Sequence, residues 1–162
     1  MNAPAELLDT PAGRAHITTP APRDVWWELA NKDPDTNPSQ TPLWLDCLCA
    51  TGPYRDASRL YEFERGHRLV LPLVGGRHRP PALDAAESWP AGWGIGGPVG
   101  PGGTSPAEAR AVFADLARLR ALRVGVRLRP AGQAVWADAA LGFRPEPHMT
   151  QLVDLDGGFG AV

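Results

Sequence analysis

Apolar positions along this chain follow two periods, and the switches between them mark its elements. From Asp24 to Ala30, the residues Trp26, Trp27 and Leu29 predict a short helix, ended by Pro34 within a polar stretch from Asn31 to Ser39. Thr41-Pro42 opens a second helix, with Leu43, Trp44, Cys47 and Leu48 expected on one side and Gly52-Pro53 closing it. Period two then takes over. Leu60-Tyr61-Glu62-Phe63-Glu64 alternates, aromatics on one side and carboxylates on the other. After a tight turn at Arg65-Gly66-His67, Arg68 to Val74 is an almost unbroken apolar run, as in a strand covered on both faces. Pro72 must sit there at an edge, a bulge or a splayed position.

The stretch from Ser88 to Arg129 carries the strongest signals. A glycine-rich passage, Trp89 to Gly103, follows a strand. Ser105-Pro106-Ala107-Glu108 then reads as a capped helix start, with serine as the cap, proline at the first helical position and glutamate reaching back. Ala109, Val112, Phe113, Leu116 and Leu119 recur every three or four residues, so one helix face is buried. Val124, Val126 and Leu128 return to period two until Pro130. Gln133 to Leu141 predicts a short helix closed by Gly142, and His148 to Leu155 a final strand.

These elements predict an α/β (α+β) domain with a central mixed, mostly antiparallel sheet flanked by helices. Residues 1–14 hold two prolines and no sustained period, and are expected to form a flexible arm; residues 15–156 form the domain. Residues 157–162 read as the start of a linker to a missing second domain, because Phe159-Gly160-Ala161-Val162 begins a new apolar stretch that no cap closes.

Charge narrows the functional classes. The net charge is -2, and 16 basic residues, of which Lys32 alone is lysine, are balanced by 18 acidic ones without a dense basic run. The chain therefore has no nucleic-acid footprint. It has no apolar run of membrane-spanning length and no leader pattern at its start, which points to the cytoplasm. Cys47 and Cys49 stand two residues apart on a helix, about 200° from one another, and are read as two unbridged thiols. A lone C-x-C is no zinc site, and no metal is expected.

The order of motifs resembles the N-terminal half of the FemAB-like branch of the GNAT N-acyltransferases. The residues that carry the likeness are Gln40-Thr41-Pro42-Leu43-Trp44, Leu71-Pro72-Leu73-Val74, Ser88-Trp89-Pro90-Ala91-Gly92-Trp93-Gly94, the Val-x-Val-x-Leu-Arg-Pro strand, and Gly142-Phe143-Arg144 followed by His148 to Leu155. The resemblance implies a GNAT-like fold, transfer of an acetyl, acyl or aminoacyl group to a small-molecule or peptide amine, and acyl-CoA or aminoacyl-tRNA as donor. It also implies a C-terminal GNAT-like domain as partner. The donor loop of GNAT proteins, R/Q-x-x-G-x-G/A, has no convincing counterpart here, so no donor is expected to bind tightly to this chain, and self-association through an uncovered face is expected.

No catalytic residue can be assigned from the sequence. Trp44, Trp93, Gly94 and Gly96, flanking the glycine-rich passage, are candidates for a substrate cleft, as are Arg77 in the basic turn Arg77-His78-Arg79 and His148. Trp89 is a further cleft or core aromatic. Gly92-x-Gly94-x-x-Gly97 matches the dinucleotide fingerprint in spacing, yet Pro98 and Pro101 keep the helix from opening at the last glycine. A cleft-wall loop is the preferred reading. A non-catalytic binding or interaction module on the same fold is the alternative function.

Overall fold

The computed structural model describes residues 5–10, 13–90, 92–130 and 133–147. Strands β1 (Ala5–Thr10) and β2 (Gly13–Thr18) precede helices α1 (Arg23–Lys32) and α2 (Pro42–Thr51). Strands β3 (Tyr54–Asp56), β4 (Arg59–Phe63), β5 (Arg68–Leu71), β6 (Val74–Gly76) and β7 (Ala85–Ser88) follow. Helix α3 (Pro106–Leu116), strand β8 (Arg123–Val126) and helix α4 (Gln133–Ala139) complete the order. The fold is mixed α+β, with four-stranded sheets ordered β1-β2-β4-β5 and β3-β6-β7-β8. All described strand pairs are antiparallel except β7 and β8, which run parallel from Ala85↔Arg123 to Ser88↔Val126.

One bent hairpin runs through both sheets. β3 continues into β4 and β5 into β6, and the two interruptions face each other, with the Ala57 N–H donating to the Leu73 carbonyl at 3.0 Å. Pro72 has no N–H for the ladder, so the pairing breaks there, as the sequence predicts. On the opposite strand the Asp56 carboxylate accepts the Ser58 N–H at 2.8 Å, giving the backbone a turn in place of a rung.

Helices cover both faces of the sheet. On one face Leu8, Ile17, Tyr61, Phe63, Leu69 and Leu71 pack with Val112, Phe113 and Leu116 of α3 and Trp136 of α4. On the other, Trp26 and Leu29 of α1 and Leu45 and Leu48 of α2 pack on Leu60, Val70 and Val74. The cap of α3 is as the sequence predicts: the Ser105 hydroxyl accepts the Glu108 N–H, and the Glu108 carboxylate accepts the Ser105 N–H at 2.8 Å. One polar group interrupts its buried face. Asp115 accepts a hydrogen bond from Arg59 Nη2 at 2.9 Å on one oxygen and from the Tyr61 hydroxyl at 2.7 Å on the other, from which Arg59 Nε also lies 2.7 Å. Burial and the adjacent Asp115 push the Tyr61 phenol well above its ordinary range, so it stays a donor.

Two expectations need correction. Where a flexible arm is expected, Ala5–Thr10 pairs antiparallel with Gly13–Thr18. Its signal is faint because Leu7 and Leu8 are adjacent, and only Leu8 is buried while Leu7 is 51% exposed. In α2 the buried residues are Pro42, Leu45 and Leu48, with Leu43 63% exposed and Cys47 exposed, so the inward face is turned from the one expected. Of the two places open to Trp89, cleft or core, the structure has the core, at 3% exposure. His148, the final strand and residues 157–162 lie outside the described residues. Among the described residues no helix is long and apolar enough to cross a membrane.

Candidate functional site

Parallel strands in an α/β sheet leave a crevice beyond their carboxyl ends, and ligands commonly bind there. In this protein β7 and β8 are the parallel pair, and the glycine-rich passage begins where β7 stops. Trp89 turns the chain with φ 77°, a left-handed conformation that a bulky residue holds only under constraint from its surroundings. The passage then comes back onto the strand ends. The Gly97 N–H donates to the Ser88 hydroxyl at 2.7 Å, and the Gly97 Cα side faces the Arg127 carbonyl, 3.1 Å from where a Cβ would stand. A Cβ on Gly96 would lie 2.1 Å from the Ser88 carbonyl oxygen, so only glycine fits. Gly96 and Gly97 thus fill the crevice with the protein's own backbone.

The turn between α1 and α2 holds the passage in place. Residues Pro38–Gln40 form a single 3-10 turn packed against it. Gln40, fully buried, donates its amide to the Gly96 carbonyl at 3.0 Å and to the Gly97 carbonyl at 3.3 Å, and accepts the Asn37 N–H at 3.0 Å. Its own carbonyl accepts the Trp26 indole N–H at 2.9 Å. The Ser39 hydroxyl donates to the Ile95 carbonyl at 2.8 Å, and its side chain lies against Gly94, 2.6 Å from where a Cβ would be. The Trp44 indole donates to the Trp93 carbonyl at 2.9 Å. Four of the sequence candidates, Trp44, Trp93, Gly94 and Gly96, therefore meet at one place, where Trp93 is 38% exposed.

Arg77 does not join them. Exposed after β6, it donates from Nε to the Tyr54 carbonyl at 3.2 Å and reaches the Cys49 carbonyl in the last turn of α2. There a cation satisfies helix-terminal carbonyls and opposes the helix dipole.

The far end of the passage frames a cavity of about 270 Å³. Its lining combines apolar Leu69, Leu128, Val135 and Trp136 with the glycine-rich Gly100, Gly102 and Gly103 and with charged Asp33, Asp35 and Arg129. Asp33, 5% exposed at the C-terminal end of α1, accepts the Gly100 N–H at 3.0 Å and Arg129 Nη1 at 2.7 Å on one oxygen, and the Asp35 N–H at 3.1 Å on the other. This pair joins residues 96 positions apart. No local pattern in the sequence singles out either member.

Among the described residues, no group of three histidine, cysteine, aspartate or glutamate side chains is placed to hold a metal ion. No family model matches the chain, and no curated protein and no solved structure is significantly similar to it.

Proposed function

We propose that this chain is the N-terminal domain of a GNAT-type N-acyltransferase, transferring an acetyl, acyl or aminoacyl group to a small-molecule or peptide amine together with a second GNAT-like domain. The observation that carries the reading is the meeting of Gln40–Trp44 with Trp93–Gly97. Gln40–Trp44 and Trp93–Gly94 belong to the motifs on which the resemblance rests, and Gln40 and Trp44 bind the passage directly. In this reading the exposed Trp93 ring and the glycine-rich backbone form one wall of the acceptor cleft, and their role is to orient the amine for direct attack. In this reading the acyl donor is not assigned to the space between the ends of β7 and β8, where Gly96 and Gly97 lie. Donor binding and the bond-making groups are assigned to the second domain.

That filled crevice also favours a second reading, a non-catalytic binding or interaction module on the same fold. One experiment separates them. Residues 1–162 and the longest natural polypeptide containing them are assayed for transfer from acyl-CoA and aminoacyl-tRNA to a panel of amines. Turnover by the longer polypeptide alone supports the acyltransferase reading. Equal turnover by residues 1–162 moves the donor site into this chain, and silence from both favours the binding module.

A further inference from the structure

The cavity under the glycine-rich passage carries its own anion. A guanidinium and a backbone N–H converge on one point at its polar end, Arg129 Nη1 and the Gly100 N–H, and that point is occupied by Asp33 Oδ2. Two such donors aimed at a single oxygen are the chemistry of a carboxylate or phosphate site. The side chains of both partners are withdrawn from solvent, at 15% exposure for Arg129 and 3% for Asp33. The same cavity is lined by apolar Leu69, Leu128, Val135 and Trp136. Nothing lies within 4 Å of where a Cβ on Gly102 or Gly103 would stand, so there is open space beside these two lining glycines. The segment that bears the carboxylate is itself at the surface, since Pro34 and Asp35 are exposed.

We propose that this cavity is an anion site whose donors are occupied by an internal carboxylate. Asp33 latches Gly100 and Arg129, and a small monocarboxylate with a short apolar tail enters by replacing Asp33 on those two donors. The tail lies on Leu128, Val135 and Trp136. Asp35, exposed at the rim, adds a negative charge that disfavours a dianion such as phosphate. The proposal does not depend on the acyltransferase reading, because it concerns the loop's other end and needs no transfer chemistry.

The test is calorimetric titration of butyrate and of inorganic phosphate into the chain and into its Asp33→Asn variant, which frees Arg129 of its counter-ion. Asp33→Asn is expected to bind butyrate at least about tenfold tighter than the parent, a gain of the order set by one lost competitor for a charged donor, with phosphate gaining less. Adding Arg129→Gln is expected to abolish the gain. Equal butyrate affinity in parent and Asp33→Asn, or a gain that survives Arg129→Gln, overturns the proposal, and a larger gain for phosphate overturns its choice of ligand. Should Asp33→Asn not fold, the unmutated chain is titrated with butyrate by NMR. The Gly100 amide and the Arg129 Nε–H are expected to shift together on one saturable curve, and resonances unmoved at the highest soluble concentration overturn the latch.

Discussion

The side-chain amide of Gln40 donates to the backbone carbonyl of Gly96, 56 residues away, at 3.0 Å and in full burial. Because the same side chain also accepts the Asn37 N–H, it closes the 3-10 turn and anchors the glycine-rich passage at once. Gln40→Ala leaves buried carbonyls at Gly96 and Gly97 without this donor. Each such loss costs about 1–3 kcal/mol, so a destabilisation of about 2–4 kcal/mol is expected in urea unfolding. Gln40→Glu is expected to cost at least as much, since an ionised carboxylate cannot donate to either carbonyl.

Two glycines of the passage separate steric from conformational cost. A Cβ on Gly96 meets the Ser88 carbonyl at 2.1 Å, whereas one on Gly102 meets nothing within 4 Å and is opposed only by a φ of 88°. Gly102→Ala is expected to lose about 1 kcal/mol. Gly96→Ala must displace backbone and is expected to lose about 3 kcal/mol or to unfold the domain. Thermal melts that rank the two the other way place the close approach elsewhere.

Removing Asp115 tests the buried ion pair. With its side chain gone, the Arg59 guanidinium, whose side chain is 10% exposed, has no counter-charge in contact. Breaking such a pair costs about 3–5 kcal/mol, and Asp115→Ala is expected to fall in that range by denaturant unfolding. Tyr61→Phe is expected to cost less, because Arg59 still holds the carboxylate.

Asp84 is one carboxylate through which acid should weaken the fold. Burial alone raises its carboxyl, but hydrogen bonds from the Gly76 N–H, Arg55 and the Ala85 N–H outweigh that and hold it below its ordinary value of 3.8. A group depressed on folding stabilises the protein fully above its unfolded pKa, and the contribution disappears as pH falls through the folded one. Stability is therefore expected to decline below about pH 4. Asp84→Asn is expected to flatten that decline and to lower stability at neutral pH. Parallel pH profiles of parent and variant count against the assignment.

What was legible in the sequence was what local rules encode. Helix α3 announces itself through Ser105, Pro106 and Glu108, and Ala109, Val112, Phe113 and Leu116 of its stripe are buried as spaced, while Leu119 falls past the helix end and is half-buried. Pro72 marks the break in the bent hairpin. The inward face of α2 was misread because hydrophobicity placed Leu43 and Trp44 inward, while Trp44 turns its indole N–H to the Trp93 carbonyl and Leu43 faces solvent. In the site, the glycine-rich passage and its flanking tryptophans could be found by composition. Asp33 and Arg129 could not, since a pairing across 96 positions leaves no trace in spacing.

The single bridge between Val70 and Val99, with both N–H groups donating at 2.8 Å, bears on how these molecules behave in a crowded solution. Strand β5 ends its sheet, and an uncovered ladder there would be a template for a neighbouring chain. Val99 occupies that ladder at its middle, between Pro98 and Pro101, neither of which can donate to a further strand. The passage thus covers β5 without offering a new edge of its own, and replacing Pro98 or Pro101 with valine is a route by which a folded domain could become a seed for edge-to-edge aggregation.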